Sequence, residues 1–140
     1  MQGVTFDTKH SYRAWGLMFA SRPVISPPKP KLKLIQVPGT DKVIDLTETL
    51  TGQVHYEPRT IKMEFVLMED KPRWDAIYSE ILETVHGKKV QIIFDDDLNY
   101  FYVGRVVVGD MKGEKAMAKL EMTAEVEPYK HERHGEGRRL

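Results

Sequence analysis

"RTIKMEFVLMEDKPRWDAIYSEILETVHG" (residues 59–87) changes its apolar period halfway along. Over residues 59–69, Ile61, Met63, Phe65 and Leu67 alternate with Lys62 and Glu64. That period of two is the signature of an antiparallel strand with one face buried. From Trp74 onward the apolar residues Ile77, Tyr78, Ile81, Leu82 and Val85 recur three and four apart. Such spacing lines one face of an amphipathic helix. Asp70 is placed to cap it, Pro72 suits a first turn, and Gly87 suits a left-handed end. The spacing therefore predicts one helix over about residues 71–86.

Downstream, residues 89–94 and 99–108 read as two strands, Gly109 to Gly113 as a turn, and residues 115–126 as a third strand with period two. Upstream, Val4 and Phe6 alternate with polar neighbours, and residues 15–20 (WGLMFA) are apolar. Pro23, Pro27, Pro28 and Pro30 interrupt residues 22–30. Proline gives no hydrogen to a strand ladder, so this stretch reads as an extended arm or an edge segment. In residues 31–37 Leu32 and Leu34 share one face, Lys31 and Lys33 the other. Pro38, Gly39, Thr40 and Asp41 form a turn signal, and residues 43–46 resume as a strand. The predicted class is mainly β (α+β): an antiparallel β-sandwich or barrel with one packed helix. Residues 1–128 form the domain; 129–140 (YKHERHGEGRRL) show no pattern and read as a flexible tail.

The bulk numbers exclude several classes. The chain has 140 residues, 41% hydrophobic and 30% charged, as in one ordinary globular domain. Lys and Arg number 21, Asp and Glu 21, so no net charge draws it towards nucleic acid or an anionic membrane. There is no cysteine, which excludes disulfides, thiol nucleophiles and cysteine-bound zinc. The opening residues lack the apolar run of a signal peptide, and no segment reaches the ~20 apolar residues of a membrane helix.

The chemical signals are weak. "FDDDLNYFYVGRV" (residues 94–106) offers Asp95, Asp96 and Asp97. A calcium loop needs alternating oxygens, a central glycine and a distal glutamate, and none of that spacing follows here. A hairpin tip whose aspartates cap their own turn explains the triplet better. His131 and His134 are three apart, not the four of a helical zinc motif, and no nucleophile elbow or phosphate loop is present. No catalytic, cofactor-binding or metal-ligating set is predicted. Tyr100, Phe101 and Tyr102 beside Arg105 suggest a possible base-stacking strand, but alternation splits them between two faces.

Three stretches taken together resemble the N-terminal domain of the distal tail proteins of long-tailed siphophages, the Dit family. They are VPGTDKVIDLTETLTG followed by YEPRTIKMEF, the helix ending LETVHGKK, and IIFDDDLNYFYVGRV. The resemblance spans about residues 3–128 and rests on Pro38, Gly39, Asp41, Arg59, Gly87, the aspartate triplet, Tyr102, Gly104 and Arg105. It implies a β-sandwich with one helix that forms a hexameric ring and no enzyme. Such a ring joins the tail tube to the tail-tip hub around a channel for DNA and the tape measure protein. It implies a virion component assembled in the host bacterial cytoplasm, with homo-oligomer, tube, hub and tape-measure partners, no cofactor, and no membrane partner. Pro23, Pro27, Pro28 and Pro30 would then belong to an arm reaching a neighbouring subunit, and the triplet would face the lumen. Two departures stand out: Lys42 and Val43 occupy a place where family members commonly have glycine, and the chain ends at Leu140 without the second β-rich domain of many members. A bare ring-former is therefore expected. Rival readings are an oligonucleotide-binding β-barrel, a related tail-tube or tail-completion subunit and, more distantly, a metal-dependent hydrolase.

Overall fold

In the computed structural model, which describes residues 3–114 and 117–140, the first elements are β1 (Val4–Phe6), β2 (Lys9–His10), α1 (Ser11–Trp15), β3 (Leu17–Phe19) and β4 (Val24–Ile25). There follow β5 (Leu34–Gln36), β6 (Val43–Asp45), β7 (Arg59–Leu67) and α2 (Trp74–Val85). Last come β8 (Lys89–Phe94), β9 (Tyr100–Glu114), β10 (Met117–Val126), β11 (Lys130–Glu132) and β12 (Arg138–Arg139).

The alternating strand behaves as its period demands. On β7, Ile61, Met63, Phe65 and Leu67 are buried while Lys62 and Glu64 are exposed. β7 pairs antiparallel with β10 along its whole length, Arg59 opposite Val126 and Leu67 opposite Ala118. On its other side it carries β3 and then β4. The meander β8–β9–β10 follows the predicted order, and β1 joins it by pairing with β8, giving the order β2-β1-β8-β9-β10-β7-β3. The sheet curls until β3 meets β8. Phe19 of β3 stacks on Phe65 of β7 at 4.9 Å and on Phe94 of β8 at 6.5 Å. A half-barrel results, its concave face filled by one apolar core.

The helix lies over this sheet. Trp74, Ile81 and Val85 are buried, with Ile77, Tyr78 and Leu82 packed at the margin. Trp74 Nε1 donates to the Glu69 carbonyl at 2.8 Å and Tyr78 Oη to the Gly109 carbonyl at 2.8 Å, so both ring polar groups are satisfied. A 3-10 turn, Lys71–Arg73, precedes α2 with Pro72 in it, but Asp70 makes no side-chain capping bond. Gly87 follows the end of α2 with φ of 73°.

Several elements differ from the sequence expectation. Residues 11–15 form a short helix, α1, ahead of and overlapping by one residue the apolar stretch 15–20, where no helix was expected. Gly109 to Gly113 are not a turn. They continue β9 to Glu114, opposite β10, and the register shifts between Leu120 and Met122. These glycines serve close approach: a Cβ on Gly113 would lie 2.6 Å from the Met117 carbonyl oxygen. Lys115 and Ala116, expected to open the last strand, lie outside the described residues. The expected flexible tail, 129–140, carries β11 and β12. β11 pairs with β9, His131 opposite Phe101, and with β12. The Arg138 guanidinium over Tyr129 at 4.4 Å and the Lys130 ammonium over Tyr100 at 4.7 Å anchor it, contacts that carry no periodicity to read.

Candidate functional site

The aspartate triplet is a hairpin tip, a 3-10 turn between β8 and β9. Its carboxylates do not act together. Asp95 Oδ2 lies 2.9 Å from His10 Nε2, and Asp97 Oδ2 accepts from Lys130 Nζ at 2.6 Å, while Asp96 is exposed. None caps the turn by a side-chain bond. No group of three metal-ligating side chains occurs among the described residues. His10 Nδ1 accepts from the Tyr12 and Arg13 amides, at 3.2 and 3.4 Å, so this imidazole caps α1. Its Nε2 must then carry the ring proton and donate to Asp95. The Asp95 amide donates to the Gly3 carbonyl and the Val4 amide to Ser11 Oγ. One buried histidine thus fastens the start of the chain to the acidic tip. His10→Ala removes the cap and strips a partly buried carboxylate of its partner. A loss of about 2 kcal/mol is expected, read from the urea midpoint; an unchanged midpoint would show the tie to be idle.

The remaining signature residues hold the frame. Arg59 is buried and donates through Nε to the Ser26 carbonyl at 2.9 Å and through a terminal nitrogen to the Pro128 carbonyl at 3.3 Å. Its guanidinium sits 5.8 Å from the Tyr102 ring, and Tyr102 packs edge-on to Phe94. Arg105 donates to the Gly87 carbonyl at 3.0 Å, tying β9 to the end of α2. Tyr100 and Tyr102 form no open stacking platform, since Tyr102 is buried and Tyr100 lies under Lys130.

Pro38, Gly39 and Asp41 sit elsewhere, at the turn of a separate two-stranded sheet, β5–β6. Gly39 has φ of 77°, and the Thr40 hydroxyl bonds the Val37 carbonyl to close the turn. The segment with Pro23, Pro27, Pro28 and Pro30 is its root. Val24 and Ile25 lie along the edge of β7, Pro28 is buried, and Pro30 bridges to Tyr56. Beyond that bridge the hairpin leaves the body. Leu32, Leu34, Ile35, Val43, Ile44 and Leu50 are all exposed, Leu34 at 53% and Val43 at 51%. Hydrogen bonds from the Thr47 hydroxyl and amide hold the Asp45 carboxyl below the ordinary carboxylate range. A two-stranded hairpin is marginal in water without a surface to lie on.

A cleft of about 690 Å³ opens at the mouth of the half-barrel, with Phe19, Ile25, Phe94 and Tyr102 in its wall and Arg22 and Asp96 among its polar residues. The sequence signalled neither the cleft nor the role of His10, whose partner lies 85 residues away.

No protein-family model matches the chain, and no curated protein matches it. Among solved structures it is similar to the Dit (gp 19.1) protein of phage SPP1, described as a paradigm of the hub adsorption apparatus in phages infecting Gram-positive bacteria. The TM-score is 0.71 at 13% identity, over 94% of this chain and 52% of that one. The chain therefore spans about half the length of that protein, and the likeness is one of fold.

Proposed function

We propose that this chain is a structural subunit of a bacteriophage tail, of the distal-tail type, and that it works by assembly and not by catalysis. Residues 3–128 are the ring-forming unit. Six copies close into a ring between the tail tube and the tail-tip hub, with DNA and the tape measure protein passing through the centre. Its place is then the virion, after assembly in the host cytoplasm. The fold likeness to a phage hub protein supports the tail role. The projecting hairpin carries the assembly role: four large apolar side chains stand exposed on its two strands, with Leu32 and Leu50 exposed beside them, and the element has no cover of its own. An uncovered apolar hairpin is best explained by a neighbouring chain, and Pro23, Pro27, Pro28 and Pro30 stiffen the root from which it reaches.

Native mass measured across a concentration series tests the reading. A species of about 97 kDa is expected, six times the 16.2 kDa of one chain, since cyclic symmetry closes at a fixed number. A protein that stays monomeric up to millimolar concentration would overturn self-assembly.

A further inference from the structure

A head-to-tail ring needs two unlike patches on each copy, one that reaches and one that receives. The hairpin is the patch that reaches. We infer that the cleft at the mouth of the half-barrel is the patch that receives, and that it takes the Leu34–Val43 face of a second copy's hairpin; this rests on the ring reading above.

Three observations converge. The first is shape and polarity. Phe19, Phe94 and Tyr102 give the cleft an aromatic wall, and about 690 Å³ has room for several side chains. No residue of the hairpin lines it, so a copy's own hairpin does not fill its cleft. The second is the hairpin's register. Leu34 stands opposite Asp45, and Val43 opposite Gln36, which places all four on one face. Leu34 and Val43 are the apolar part of that face and Asp45 its charged part, while Lys33 and Lys42 fall by alternation on the other face with Ile35 and Ile44. The third is charge. Two charged residues lining the cleft, Arg22 and Asp96, have no ion-pair partner among the described residues. The hairpin face offers the complement of the first, Asp45 for Arg22. Charges paired in this way fix the register of an interface more than they strengthen it. The acidic tip then lies at the junction between subunits and not on the lumen.

The absence of cysteine makes the test clean. Leu34→Cys and Ser21→Cys are introduced together, Ser21 being an exposed residue of the cleft. Oxidation of the assembled protein is expected to give a ladder of covalent multimers on a non-reducing gel. Leu34→Cys paired with Thr123→Cys, on β10, is expected to give none. Arg22→Glu, at an exposed position, is expected to raise the concentration for half-assembly at least tenfold, and Asp45→Arg in the same chain to recover part of that loss. Rings of unchanged mass with no Leu34–Ser21 ladder, or with Arg22→Glu silent, would overturn the cleft assignment and leave the ring reading standing. A monomer at every concentration would overturn both.

Discussion

Replacing Gly104 with alanine is expected to destabilise the fold by about 3 kcal/mol or more, towards the upper end of overpacking costs. Gly104 lies on β9, with Val90 of β8 on one side and Val126 of β10 on the other. A Cβ at this position would stand 2.2 Å from the Glu125 carbonyl oxygen and 2.5 Å from the Val126 Cα. Both are backbone atoms of a paired strand. A flexible side chain can swing aside; a ladder strand moves only if its hydrogen bonds stretch. Valine should be worse than alanine, because its branches add to the same collision. Thermal melting would show a fall of about 10 °C for alanine, taking 3 °C per kcal/mol at this chain length. A shift within 2 °C would mean that β10 has slack not visible in its register.

Arg59→Met should cost about 2–3 kcal/mol for a different reason. Arg59 is only 9% exposed and has no carboxylate partner among the described residues. Its charge is neutralised in effect by two carbonyls, those of Ser26 and Pro128, and by the face of Tyr102. Methionine matches the bulk but leaves both carbonyls unpaired in a half-buried place, and that desolvation is the main loss. Lysine should recover little, since one ammonium cannot reach in two directions as a guanidinium fork does. Because Ser26 belongs to the root of the hairpin and Pro128 follows β10, Arg59→Met should also speed amide exchange in both segments. A urea midpoint unchanged from the parent would show that water replaces the guanidinium at no cost.

The sequence was legible where burial has a period. β7 alternates because one face meets the core, and α2 shows its stripe because it lies on a sheet, so both were readable from apolar spacing alone. The motif residues were legible as positions, though not in their roles. Gly104 reads as one residue of a strand with no sign that it is a close contact between strands, and Gly109 and Gly113, which make the same kind of contact, mimic a turn. α1 was lost because five residues give little more than one helical turn, and because its cap is an imidazole, not a hydroxyl or carboxylate. The hairpin alternated as a strand should, yet alternation says nothing about whether a second layer exists to cover it. β11 and β12 rest on cation–ring contacts, with β11 half-buried and β12 exposed, which leaves no repeat in the sequence. The cleft arises from the curl of the sheet, which brings residue 19 against residue 94.

The pairing of β1 with β8 sets an order of events during synthesis. Phe6 meets Ile92, and the Gln91 amide donates to Asp7, so the first strand waits for some 85 residues before its neighbour exists. At a translation rate of roughly 5–20 residues per second, that wait is on the order of ten seconds. The hairpin closes on itself locally and is complete long before. Through that interval its leucines and isoleucines face solvent with no sheet beside them. Lys29, Lys31 and Lys33, set between Pro28 and Pro30 and the apolar residues, act as gatekeepers over this gap, because charge and missing amide hydrogens discourage strand-to-strand aggregation. The basic, proline-interrupted approach to the hairpin is thus a safeguard for the nascent chain as much as a lever for the finished one.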